Sequence, residues 1–360
     1  MKPTQALHDL GQSLWLDNIT RDLLDSGTLR RYVDELSVTG LTSNPTIFDE
    51  AIGGGSAYDK GIQQKARAGL SGETLFIELA LEDLRRAADV FRPIWDRTGG
   101  TDGWVSMEVS PLLAADTQGT IEAALHIHKL ADRPNLYVKI PGTPEGVPAI
   151  EAAIFAGVPV NVTLLFSREH YLAVAGAYMN ALERRVAKGL DPRISSVASV
   201  FVSRWDRAVS DSVPPDLKNR LGVAIAMRTY RAHCELLETK RWRDLESAGA
   251  LKQRMLWAST GVKDPKAPAD LYVSAFAAPD TIDTMPEKTL LAFAAGGRVG
   301  GVMPKDGGDA EEVLQHFAAA GVDVAALAAK LQVDGAQSFV KSWTELLQRI
   351  AQKGAALGES

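Results

Sequence analysis

The sequence predicts an α/β protein built as a (β/α)₈ TIM barrel, with additional helices that include a C-terminal helical tail. Apolar, strand-like runs alternate with helical stretches along nearly the whole chain, and eight such runs can be counted. Polar residues also collect at the C-terminal ends of seven of these runs, where barrels of this kind carry their functional groups.

The first strand is expected at residues 13–17 (SLWLD), short, apolar and closed by an acid, with a helix over 23–34. Residues 40–44 form the second strand, after which Pro45 suits the first position of a helix. A long amphipathic helix opens at residues 71–74 and runs to Phe91, and residues 104–109 are the third strand. A helix over 119–130 leads into the fourth strand around Leu136 to Ile140, which ends in the turn Pro141-Gly142-Thr143. Helix 147–156 is stopped by Gly157 and Pro159, and residues 158–165 make the fifth strand. Helix 167–187, strand 195–202, helix 217–237 and strand 253–260 follow. The eighth strand is expected at residues 271–276 (LYVSAF), and helices at 286–295 and through the tail, 310–355. One barrel domain over residues 1–360, with the tail packed on it, is the expected organisation.

Composition narrows the class. Of 360 residues, 46% are hydrophobic and 23% charged, enough for one large core. The formal net charge of -6, with no dense Lys/Arg run, gives no footprint for nucleic acid or an anionic membrane. No run reaches the roughly 18 apolar residues of a membrane span, and the N-terminal stretch has no cleavage-site pattern. The single Cys234 has no intrachain partner, which suits a reducing compartment; beside His233 on a helix it reads as a packed thiol. A cytoplasmic monomer or homodimer with no nucleic-acid or membrane partner is expected.

Several tempting motifs dissolve on inspection. The glycine runs at 53–55 and 296–301 follow helices and lack the context of a phosphate or dinucleotide cradle. His126 and His128 splay apart at i, i+2 on a helix, so they are not a metal pair. Neither a metal nor a cofactor is expected.

The chemistry concentrates at residues 135–167, where Lys139 lies inside an otherwise apolar strand. An ammonium buried on both faces is costly unless it is paired or gives up its proton, and a neutral lysine is a nucleophile. The following helix and strand complete a βαβ unit that brings Asn161 and Thr163 near the lysine.

Residues 139–146 (KIPGTPEG), 161–167 (NVTLLFS) and 42–45 (TSNP) stand in the order and spacing of the transaldolase family's blocks. From about Leu10 onward the chain resembles that family, most of all its longer bacterial branch. The resemblance implies a transferase in which Lys139 forms a Schiff base with a ketose phosphate and no cofactor takes part. Glu108 would shuttle protons through a water, aided by Thr163, and Asp17 would take the proton of the C4 hydroxyl as the carbon-carbon bond breaks. Asn44 and Asn161 would bind substrate hydroxyls, with Thr42, Ser199 and Phe201 lining the site. Arg204 and Ser259 would hold the phosphate. Where better-known members place an arginine two residues after that serine, this chain has Gly261, and Lys263 is the candidate second cation.

The leading expectation is transfer of a dihydroxyacetone unit from sedoheptulose 7-phosphate or fructose 6-phosphate to an aldose phosphate, as in the pentose phosphate pathway. A fructose 6-phosphate aldolase that releases free dihydroxyacetone is the alternative. Those relatives carry glutamine and tyrosine where Glu108 and Phe201 stand, so these two residues favour transfer. A non-catalytic sugar-phosphate-binding barrel is a second alternative.

Overall fold

Runs such as Leu136-Tyr137-Val138 are apolar on both faces, as parallel strands must be when helices cover one side and the interior of a barrel fills the other. The computed structural model, which describes residues 1–358, places eight such strands: β1 Ser13–Asp17, β2 Val38–Thr42, β3 Val105–Glu108, β4 Leu136–Pro141, β5 Val160–Leu165, β6 Ser196–Phe201, β7 Arg254–Ala258 and β8 Ile282–Met285. All laddered pairs are parallel, in the order β2-β1-β8-β7-β6-β5-β4-β3. Between β2 and β3 the ring closes through Leu41 N donating to Trp104 O at 3.0 Å and Ser43 Oγ donating to Ser106 O at 2.8 Å. The result is a (β/α)₈ barrel wrapped by helices.

Aromatic side chains fill the bottom of the barrel. Trp104 stacks on Tyr137 with ring centroids 4.0 Å apart, and Trp15 lies 6.2 Å from the same ring. Gly40 makes room for them: a side chain there would start 2.6 Å from Trp15 Nε1. A cavity opens at the C-terminal ends of the strands, among residues such as Asp17, Thr42 and Ser199.

Three expectations need correction. Residues 271–276 are not the eighth strand; Leu271–Ala275 is a short helix whose Tyr272 hydroxyl donates to Asp206 at 2.7 Å. The eighth strand is Ile282–Met285, half of it polar. The expected helix over 23–34 is two, Arg21–Asp25 and Thr28–Leu36, broken at Gly27, whose φ of 73° suits a residue without Cβ. The tail also divides, at Gly321, into Ala310–Ala319 and a 35-residue helix, Val324–Gly358.

That last helix crosses the mouth of the barrel. It leaves the ends of β4 and β5, where Gln332 bonds to the backbone, and ends against the helices Pro45–Gly53 and Asp59–Arg67. Trp343 packs edge-on against Phe76, while Arg349 pairs with Asp49 at 2.7 Å and Lys353 with Asp59 at 2.6 Å. Among the described residues no helix is long and apolar enough to cross a membrane.

Candidate active site

Register puts the central groups side by side. Glu108 at the end of β3 pairs with Lys139 on β4, which pairs in turn with Asn161 on β5. Lys139, 5% exposed, holds its Nζ 3.0 Å from Glu108 Oε1 and donates to the Ser43 carbonyl at 3.1 Å. Burial pushes the Glu108 carboxyl above the usual carboxylate range, although Lys139 pulls the other way.

Asp17 ends β1 and accepts a 2.8 Å hydrogen bond from Thr42 Oγ1, whose other neighbour is Thr284 Oγ1 at 2.6 Å. Its pKa is also raised by burial, with Lys139, Thr42 and Lys263 opposing. Two carboxyls thus flank one amine, both shifted toward the protonated form.

The mouth cavity is lined by Asp17, Thr42, Asn44, Lys139, Thr163, Ser199, Phe201, Arg204 and Ser259, so nine of the twelve expected residues meet there. Glu108 joins Lys139 and Thr163 around a smaller adjoining cavity. The Thr163 hydroxyl makes no hydrogen bond within the protein. Asn44 caps the helix Pro45–Gly53, accepting from Ile47 N at 3.1 Å, which fixes it at the rim.

Asn161 lies one layer deeper, fully buried. Its Nδ2 donates to Ser106 Oγ at 3.0 Å and its Oδ1 accepts from Ser199 Oγ at 2.7 Å, so it meets the cavity through Ser199. Lys263 is exposed and lines a larger neighbouring cleft with Arg207, Lys218 and Lys266. Even so, its Nζ folds back over Gly261, 3.6 Å from where a side chain there would begin, and its charge reaches Asp17.

Two non-glycine residues at this mouth adopt left-handed backbone: Leu164 at φ 60° and Ser259 at φ 57°. Such conformations cost of order 1–3 kcal/mol each and gather at functional sites. Ser259 Oγ pairs with Ser203 Oγ at 2.8 Å beside Arg204.

Reading the sequence missed two contributors. Thr284 lies on the misplaced eighth strand. Phe339, on the C-terminal helix, lies over the site: its ring centroid is 5.9 Å from Lys139 Nζ and 5.8 Å from the Arg204 guanidinium carbon. Phe201 faces that guanidinium at 5.1 Å, so Arg204 sits between two rings. The helix approaches this closely because residue 335 is glycine; a side chain there would begin 3.1 Å from Arg204 Nη1.

The family model described as Transaldolase/Fructose-6-phosphate aldolase matches residues 14–350. A transaldolase of Arthrobacter sp. (strain FB24) is 45% identical, over 96% of this chain and 95% of its own. One from Thermobifida fusca (strain YX) is 44% identical over 98% and 99%, and one from Saccharopolyspora erythraea 42% over 97% of each.

Proposed function

This chain belongs to the transaldolase/fructose-6-phosphate aldolase family, and on that premise we propose that it is a transaldolase whose barrel mouth works as follows. Lys139 attacks the ketone of a ketose phosphate, sedoheptulose 7-phosphate or fructose 6-phosphate, and the carbinolamine loses water to give an iminium. That iminium accepts the electron pair when the bond between the third and fourth carbons breaks. The first aldehyde leaves, a three-carbon enamine stays on the lysine and attacks the carbonyl of an aldose phosphate, and water then hydrolyses the new iminium to release the product ketose and free Lys139.

The observation that carries this reading is the Lys139 amine set 3.0 Å from one carboxylate and within the field of another. Glu108 is placed for the proton transfers of carbinolamine formation and dehydration. With Thr163 and Lys139 it surrounds a cavity whose polar groups suit a bridging water. Asp17, at the end of β1, takes the C4 hydroxyl proton and later returns it. Asn44 and Ser199, the latter held by Asn161, address the substrate hydroxyls. Arg204, Ser259 and Lys263 address the phosphate. Phe201 and Phe339 keep water from the enamine, so an aldehyde is the preferred acceptor. Sugar phosphates are therefore the partners, and a cytoplasmic setting is consistent with them.

Borohydride reduction in the presence of fructose 6-phosphate tests the lysine assignment. Mass spectrometry should locate a three-carbon adduct on Lys139, and Lys139→Ala should keep its fold and lose both adduct and turnover. Labelling of another lysine, or robust transfer by Lys139→Ala, would defeat the reading.

A further inference from the structure

The end of β5 is irregular where the chemistry is densest. In a regular strand successive side chains face opposite sides, yet Thr163 and Leu164 both line the small cavity that holds Glu108 and Lys139. The pairing with β6 breaks between Val162 and Leu165, and Leu164 takes its left-handed conformation inside that break. This is a bulge directly after Thr163, which lies two residues on from Asn161 in the β4 ladder and lines the cavity beside Lys139 and Glu108. Leucine does not favour such backbone, so something outside the strand must hold it.

Gln332 does so from the C-terminal helix. Its Nε2 donates to Leu164 O and to Gly142 O, both at 3.0 Å, spending both amide hydrogens. Gly142 N in turn donates to Thr163 O at 2.7 Å. One buried side chain, 8% exposed, therefore joins the ends of the two strands that carry Lys139 and Thr163, beyond where their own ladder stops. His170, whose Nδ1 lies 3.5 Å from Gln332 Nε2, accepts from Phe166 N at 3.2 Å.

We infer that Gln332 is a positioning residue for Schiff-base formation: it pins the β5 bulge so that Thr163 meets Glu108 and Lys139. The inference rests on the proton-transfer role given to Thr163 above. Docking of the helix does not depend on Gln332, since Trp343, Arg349 and Lys353 anchor its far half. A Gln332 variant should therefore fold and err only in the chemistry.

The test compares the full chain with Gln332→Leu and Gln332→Glu in rapid-quench borohydride trapping with fructose 6-phosphate, alongside KM and melting temperature. In Gln332→Leu the adduct on Lys139 should form about a hundredfold more slowly, the scale of a small misplacement of reacting groups, with KM near the parent value. In Gln332→Glu the ionised carboxylate faces two carbonyl oxygens and cannot donate, so at high pH the adduct forms as slowly as in Gln332→Leu. Burial beside those oxygens raises this carboxyl above the usual carboxylate range; as pH falls the protonated form, with one hydrogen for the two acceptors, restores one of the two bonds, and the rate relative to the parent rises. If Gln332→Leu does not fold, the pH ratio for Gln332→Glu decides alone. Trapping as fast in Gln332→Leu as in a trapped parent, or a Gln332→Glu ratio flat across pH, overturns the inference alone. A parent that does not trap at Lys139 overturns the transaldolase reading and the inference with it.

Discussion

Glu108 and Lys139 are partners in the β3–β4 ladder, and their side chains meet with Oε1 and Nζ 3.0 Å apart in the barrel mouth. The pair resolves the cost of a lysine inside an apolar strand. The amine is compensated, and the carboxyl, raised by burial, is ready to exchange a proton with what the amine attacks.

Removing the carboxyl's proton chemistry while keeping its shape should expose that role. Glu108→Gln is expected to lower kcat by about 10²-fold or more, the usual scale of general acid–base catalysis, and to leave KM close to the parent. An unchanged kcat would assign the proton transfers to another group.

The two rings around Arg204 address what reaches the enamine. Phe339→Ala, which opens the roof, and Phe201→Tyr, which adds a hydroxyl beside it, should each raise release of free dihydroxyacetone relative to transfer. Product ratios measured with fructose 6-phosphate and an aldose phosphate acceptor decide this. A constant ratio in both variants would mean that neither ring excludes water.

Lys263 differs from Arg204 in standing outside the mouth cavity, reaching it by its charge and by the fold of its side chain over Gly261. Lys263→Ala should raise KM for phosphorylated donors about tenfold, close to one exposed charge-assisted contact, and leave unphosphorylated sugars unaffected. Arg204→Ala should do the same more strongly. Equal effects on both substrate classes would make Lys263 a loop residue only.

Asp283 gives a prediction about stability. It is fully buried beside Thr284, and burial pushes its pKa up to about 7 although Thr260 pulls the other way. A carboxyl whose folded pKa lies above the unfolded value near 3.9 binds more protons in the native state. Its contribution to stability is therefore full below about pH 4 and lost as pH rises to about 7. Asp283→Asn removes the charge and should become progressively more stable than the parent across that window. At one pKa unit per ~1.4 kcal/mol, the advantage at pH 8 is on the order of 4 kcal/mol. Urea titrations at several pH values check it, and a pH-independent difference would contradict it.

The sequence was most legible where the chemistry dictated local pattern. A lysine in an apolar strand, two flanking motif blocks and polar residues at strand ends marked Lys139, Glu108, Asp17 and Arg204 before any coordinates. It was least legible where position depends on distant parts of the chain. Ile282-Asp283-Thr284-Met285 has two polar residues in four and reads as a loop, whereas Leu271–Ala275 reads as a strand although Tyr272 and Phe276 stack on one face of a short helix. Gln332 and Phe339 reach the site from 193 and 200 residues beyond Lys139, on a helix whose local periodicity shows only that it is amphipathic. The Leu164 bulge has no local cue at all, because leucine is an unusual occupant of left-handed backbone and no glycine marks the break.

Transfer, as opposed to release, is the central claim, and fructose 6-phosphate with and without erythrose 4-phosphate tests it directly. Formation of glyceraldehyde 3-phosphate should turn over steadily only when erythrose 4-phosphate is present, after at most a single turnover without it. Comparable steady turnover without the acceptor, with free dihydroxyacetone accumulating, would contradict the account and make the protein an aldolase.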